Sequence, residues 1–214
     1  LNEPIPLLKK SSLSGKREFL EKKKKNTLSD KETLEIIWLI SLEQSDVLQG
    51  WAKLLEKEAP ENYLPILLLY SQSGQFQNLL NSIQTLTSEQ KNTITYAFPE
   101  LLFPKPFYED VQKNSQLRSV SMSFIYSIMR QESAFNIYAR SSVDALGLLQ
   151  LMPALAKRLS IGEPIKYQNE FDLFDPKINI FLGTKELENL LKTHQNRYIP
   201  TIAGYNASSA VYKG

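Results

Sequence analysis

Before Gly147 the chain has glycine at only three positions, Gly15, Gly50 and Gly74, and nowhere does it alternate apolar and polar residues long enough to make a half-buried strand. What recurs instead is helical spacing. Leu34, Ile37, Trp38, Ser41 and Leu42 share one face of a helix expected over residues 29–42, and Ser29 with Glu32 three positions on has the spacing of a capping box. Val47, Trp51, Leu54 and Leu55 mark a second helix that stops before Pro60, and shorter helices are expected over 63–71 and 76–86, joined by Ser73-Gly74. The longest aliphatic run, Pro65 to Tyr70, suits one or two buried helical turns.

These signals predict a mainly all-α chain. Residues 1–106 read as short amphipathic helices in antiparallel pairs, a helical-hairpin, solenoid-like arrangement without a consensus repeat. The segment 99–106 carries prolines at 99, 104 and 106, is not expected to continue a helix, and is the best boundary between two domains, 1–106 and 107–214. The basic run Lys22-Lys23-Lys24-Lys25 reads either as an anion-binding patch or, with Glu18 and Glu21 beside it, as a solvated helix face.

Composition narrows the chemistry. At 42% hydrophobic and 22% charged residues the chain has the make-up of a globular protein, and a net charge of +2 gives no reason to expect nucleic acid as a partner. No stretch approaches the roughly 20 apolar residues of a membrane span. There is no cysteine, which removes disulfides, thiolate metal sites and a thiol nucleophile, and His194 is the only histidine, which leaves almost no room for a histidine triad or a multi-histidine metal site. Chemistry here must run on carboxylates and hydroxyls, and no cofactor is expected. The sequence begins at Leu1, so a leader is expected to have been removed or to lie outside it.

Over residues 118–133 the spacing again predicts a helix, with Ile125, Ile128 and Met129 on one face. Glu132 extends that stripe, four residues after Ile128 and three after Met129. A glutamate aimed at the apolar side of a helix loses hydration, which raises its pKa, and a general acid needs a value of about 6–7. The same spacing is compatible with pairing to Arg130 or Arg140, or with a solvated helix end. Asp144, twelve positions on, is the nearest acidic residue downstream, read either as a second carboxylate or as a surface residue.

The run Arg130-Gln131-Glu132-Ser133-Ala134-Phe135-Asn136, followed by Gly147-Leu148-Leu149-Gln150-Leu151-Met152-Pro153, resembles two signature motifs of the soluble lytic murein transglycosylases. Ala203-Gly204-Tyr205-Asn206-Ala207 is similar to a third, an alanine-rich turn into Tyr-Asn-Ala. Leu173-Phe174-Asp175-Pro176, Asn179-Ile180 and Gly183 are similar to the intervening helix. The resemblance covers about residues 107–212 and implies a goose-lysozyme-like α-rich catalytic domain, periplasmic or associated with the cell envelope, acting on peptidoglycan glycan strands. Protein partners are not indicated.

By that resemblance Glu132 is the catalytic acid and then the base. It would cleave the β-1,4 bond between N-acetylmuramic acid and N-acetylglucosamine, forming a 1,6-anhydro ring without a second carboxylate. Gln150 would hydrogen-bond substrate, Met152 would pack on a sugar ring or fill core, and Ser141 would contact substrate or simply close a turn. Tyr205 would orient the acid or the N-acetyl group, and Asn206 would secure its turn or touch sugar. Gly147 would let backbone approach a sugar closely, and Pro153 would open a helix through Ala156 and Leu159. The match weakens after Ala207, where Ser208-Ser209 replace the family's usual Gly-Pro, and family members commonly run past the position of Gly214. The alternatives left open are a lysozyme-type hydrolase and a non-catalytic glycan-binding or assembly module on the same fold.

Overall fold

A computed structural model describes residues 45–211. The expected helix over 29–42, its Ser29/Glu32 cap and the basic run 22–25 lie outside the described residues. The chain divides into two compact units, Leu1–Pro104 and Lys105–Gly214. Among the described residues there are ten α-helices and no extended strand, only two isolated antiparallel bridges, Arg140 with Leu146 and Leu146 with Leu151. The all-α expectation holds. No described helix is long and apolar enough to cross a membrane.

The first unit consists of α1 (Ser45–Glu58), α2 (Tyr63–Gln72), α3 (Phe76–Thr85), α4 (Ser88–Ala97) and α5 (Pro99–Leu102). Helices adjacent in sequence pack on each other, α1 on α2, α2 on α3 and α4 on α5. The aliphatic run lies in α2 and supplies the centre of the core: Ile66, Leu67, Leu69 and Tyr70 are buried with Leu48, Ala52, Leu79, Ile83 and Ile94. On α1 the buried face is Leu48 and Ala52, with Leu55 packed beside them, whereas Val47, Trp51 and Leu54 are exposed. The spacing located the helix but chose the neighbouring stripe.

A capping box that the sequence reading passed over opens α4: Gln90 N donates to Thr87 Oγ1 and Thr87 N donates to Gln90 Oε1. The proline-rich segment also departs from expectation, since Pro99 starts the short α5. At the first helical position a proline lacks only an N–H that would have had no intrahelical partner.

The second unit contains α6 (Tyr108–Arg118), α7 (Met122–Ser133), α8 (Pro153–Ser160), a 3₁₀ turn over Glu170–Phe174, α9 (Pro176–Thr193) and α10 (Tyr198–Val211). The expected helix over 118–133 is divided. Arg118 ends α6, Ser119 turns left-handed with φ 53°, and α7 begins only at Met122. Arg118 binds Glu163 and Glu188 through its two terminal nitrogens and lies over the Phe181 ring, which fixes the end of α6 against α9. Helix α9 packs against α6, α8, α10 and the 3₁₀ turn. Its start is well specified: Asp175 Oδ1 accepts from Lys177 N at 2.8 Å, and Pro176 occupies the first helical position. Pro153 opens α8 in the same way, as expected.

Candidate active site

The site is built where α7 ends. Ile125, Ile128 and Met129 are buried, and Glu132, next on their stripe, is half-buried. Burial pushes its carboxyl above the ordinary glutamic acid range, as the stripe predicts. No ion pair joins it to a cation among the described residues, and Arg140, one of the two expected candidates, pairs with Asp144 at 2.8 Å. Asp144 is exposed, the surface position that the sequence allowed for it.

The helix stops abruptly after the glutamate. Ala134 and Phe135 both take left-handed backbone angles, φ 47° and 65°, which are costly for residues with a Cβ and persist only where neighbours enforce them. Ser133 supplies one tie: its buried hydroxyl lies 2.8 Å from Leu148 O and 3.0 Å from Met129 O, linking the end of α7 to the segment that faces it. The serine of the Glu-Ser pair thus has a structural task visible in its bonds.

That facing segment, 147–153, is held by Asn179 of α9. Its side chain is fully buried, accepts from Leu149 N at 2.8 Å, and donates to Leu146 O and Leu173 O at 3.0 and 2.8 Å. Gly147 has φ 74°, and a Cβ there would overlap the Leu173 carbonyl and the Asn179 amide. Close approach of the protein's own clamp is by itself enough to require glycine here. Gly183 meets a similar demand a turn farther along α9, where a Cβ would overlap the Leu149 side chain.

Four of the six site residues expected from sequence meet in one open recess of about 110 Å³: Glu132, Ser141, Gln150 and Tyr205, with Val143 and Ala145 completing the wall. Glu132 is its only carboxylate among the described residues. Ser141 Oγ accepts from Ala145 N at 3.0 Å and from Val143 N at 3.3 Å, so it closes a turn and still keeps its O–H to donate. Gln150, at φ 46°, gives both amide hydrogens to backbone, Ala139 O at 3.1 Å and Gly147 O at 2.9 Å, which leaves its carbonyl oxygen to receive a hydroxyl. Tyr205 is buried on α10 and donates to Leu149 O at 2.6 Å. Burial, and next the Glu132 and Glu186 carboxylates, hold its phenol well above the usual range, so it stays a neutral donor.

The other two residues are elsewhere. Met152 is packed in the core with Ala145, Leu146, Leu151 and Leu155, the core alternative left open for it, and does not line the recess. Asn206 is exposed outside the recess wall. The Tyr-Asn-Ala stretch lies inside helix α10 and not on a turn, because Tyr205 must lie on a buried helical face to reach Leu149. Sequence reading missed Val143 and Ala145, whose small apolar side chains carry no signal. It also missed Glu186, a buried carboxyl on α9 whose pKa is raised by burial, against the opposing pull of Arg158 and a hydrogen bond from Asn189. Glu186 had a legible signal, since it follows the buried Leu182 by four positions.

The second unit is thus an all-α body that holds one half-buried carboxyl over an open recess. Residues 109–212 match the family described as the transglycosylase SLT domain. A provisionally named soluble lytic murein transglycosylase of Haemophilus influenzae is 40% identical over 109 residues, covering 51% of this chain and 18% of that protein. The soluble lytic murein transglycosylase of Salmonella typhimurium is 34% identical over 109 residues, 49% of this chain and 16% of that protein. Among solved structures, an inactive mutant of lytic transglycosylase Slt from Pseudomonas aeruginosa aligns over 94% of this chain and 28% of its own, with TM-score 0.52 and 25% identity. Through residues 109–212, just under half of its length, the chain is similar to the SLT-type lytic transglycosylases. The matched stretch spans less than a fifth of the length of these two relatives.

Proposed function

We propose that this protein cleaves the β-1,4 bond between N-acetylmuramic acid and N-acetylglucosamine in peptidoglycan, with Glu132 as acid and then base, releasing 1,6-anhydro-N-acetylmuramic acid ends. The observation that carries this reading is a single half-buried carboxyl of raised proton affinity in an open recess, beside a neutral buried phenol. Glu132 gives its proton to the bridging oxygen as the bond from the anomeric carbon breaks, so the leaving sugar departs as a neutral alcohol. The substrate's own N-acetyl group shields the positive charge on that carbon. Glu132, now a carboxylate, takes the proton of the C6 hydroxyl, whose oxygen bonds the anomeric carbon. One C–O bond is broken, one is formed, no water is consumed, and the carboxyl recovers its proton.

The burial that raises the proton affinity of Glu132 also makes its carboxylate a stronger base, so one environment serves both steps. Ser141 O–H and the Gln150 carbonyl are the groups that would position sugar hydroxyls or the acetamide, and Tyr205 supports the segment that carries Gln150 through its bond to Leu149 O. A recess of this size is far below the roughly 300–1,000 Å³ of an enclosed ligand pocket. Such an opening suits one linkage of a long polymer passing across it. The place of action we propose is the periplasm or elsewhere in the cell envelope.

Purified sacculi digested with the full chain and analysed by mass spectrometry test the proposal. Anhydro products, absent with Glu132→Gln, are expected. Products heavier by one water would identify a lysozyme-type hydrolase, and binding without products would identify a glycan-binding module.

A further inference from the structure

Beyond the recess, the second unit exposes three aromatic rings in series. Tyr138 and Phe174 have ring centroids 5.8 Å apart, and Phe174 and Phe171 are 6.5 Å apart, with tilts of 55° and 40°. Phe174 is half-buried and packs on the core around Leu151 and Leu173, which anchors the row. The outer two rings are 70% and 65% exposed for Tyr138 and Phe171, far more than a core contact would leave. Contiguous exposed apolar surface of this kind marks a binding site more often than a packing defect.

The row joins the recess through bonded backbone. Tyr138 immediately precedes Ala139, whose carbonyl accepts both Gly147 N at 2.9 Å and the Gln150 side chain at 3.1 Å, and Gln150 lines the recess. The next residue, Arg140, pairs with Asp144 and feels the Glu170 charge, so ionic groups border the rings. Aromatic faces edged by charges do not match an aliphatic protein surface. They do match a pyranose: its axial C–H bonds form a weakly positive apolar face that meets the negative face of a ring, while its hydroxyls and amides meet the charges.

We infer that Tyr138, Phe174 and Phe171 form a stacking platform for sugar rings of the glycan strand flanking the linkage in the recess. This rests on the function proposed above and adds a subsite to it. A platform of this kind holds the polymer without touching the reacting bond, so it acts on the affinity for long strands and leaves the chemical step alone.

The test uses the full chain carrying Glu132→Gln, so that binding is read without turnover, and measures sedimentation with purified sacculi. Adding Tyr138→Ala and Phe171→Ala, both at exposed positions, is expected to weaken binding about tenfold. Tyr138→Phe, which keeps the ring, is expected to bind as the parent does. In the active chain the two alanines should raise KM on glycan strands and leave kcat unchanged. Equal binding by the parent and the double-alanine protein overturns the platform while the proposed function stands. Loss of binding in Tyr138→Phe overturns stacking in favour of the phenol hydroxyl. A parent that does not sediment with sacculi removes the functional reading and the platform with it. Circular dichroism and melting temperature matching the parent's will show that the alanine variants are folded.

Discussion

Over residues 45–104 the chain mainly buries Leu, Ile and aromatic side chains, and the hydroxyl of its central tyrosine, Tyr70, is satisfied by Glu56 at 2.6 Å. After Lys105 it also buries Asn179, Glu186 and the Arg118 guanidinium, and half-buries Glu132. The first unit closes a mainly apolar core with local helix pairs, its buried polar side chains being only the hydroxyls of Ser73 and Thr93 among the described residues. The second sets polar groups inside its core, where each must find a partner or shift its protonation. A unit that only has to pack has no reason to carry that cost. Of these groups Glu132 lines the recess and Asn179 holds the 147–153 segment that faces it, whereas Arg118 and Glu186 are not among the lining residues.

The sharpest test of this contrast is Glu132→Gln. Activity on sacculi should fall about a thousandfold or more, near 4 kcal/mol of barrier. The same change should raise the melting temperature at neutral pH, because the amide removes a carboxylate that burial disfavours. Lost activity with lowered stability would mean that the buried charge is compensated in the fold and is not held in reserve for catalysis.

Next come two deletions, one in each unit. Asn179→Ala removes three buried hydrogen bonds and should cost about 4 kcal/mol, read by urea denaturation. It should also depress activity in molecules that remain folded, since Leu149 would lose its fixed register under Tyr205. Leu67→Ala opens a cavity in the first core and should cost about 3 kcal/mol. Its kcat per folded molecule should stay at the parent value. If both variants lost activity in equal measure, the division between packing unit and site unit would be wrong.

The same contrast explains what could be read from sequence. Helix class was legible because the 3.6-residue period is local, and Glu132 was legible because Ile128 and Met129 fix its face. Pro153 and the Asp175-Pro176 start were legible because caps act on adjacent residues. Gly147 was not, since its glycine is required by Asn179, thirty-two positions away. The break at Ser119 was hidden for a related reason: the partners that hold Arg118 at the end of α6 are Glu163 and Glu188. The clustering of Ser141, Gln150 and Tyr205 about Glu132 came through family resemblance, because no local rule brings residues from three separate segments together.

A smaller effect isolates one wall. Tyr205→Phe keeps the ring but strips Leu149 O of its phenol donor, which should cost about 1–2 kcal/mol in denaturant unfolding. Because the Tyr205 hydroxyl is engaged with Leu149 O, activity should fall far less than in Glu132→Gln. A loss as deep as that of Glu132→Gln would make the phenol a proton-transfer partner and not a support.

The weakest expected signal is a slope of stability with pH, and its sign separates the two kinds of carboxyl in the second unit. Glu132 and Glu186 are raised, mainly by burial, so the folded state holds their protons more tightly than the unfolded chain. Their contribution is complete below the ordinary value of about 4.3 and is lost as pH rises through their raised native values. Glu163 is lowered, first by its hydrogen bond from Lys185. Glu188 is lowered because bonds from Lys192 and Arg118 outweigh its burial, the largest single influence on it. Both contribute stability above that ordinary value, and it is lost as pH falls through their depressed native values. Melting temperature should therefore rise as pH drops from neutral, pass a maximum, and fall in stronger acid. The double variant Glu132→Gln/Glu186→Gln should flatten the neutral limb and keep the acid limb, whereas Arg118→Met should weaken the acid limb alone. A neutral limb that survives the double variant would mean that neither buried carboxyl is protonated in preference by the fold, and that Glu132 reaches its proton only once sugar has covered the recess.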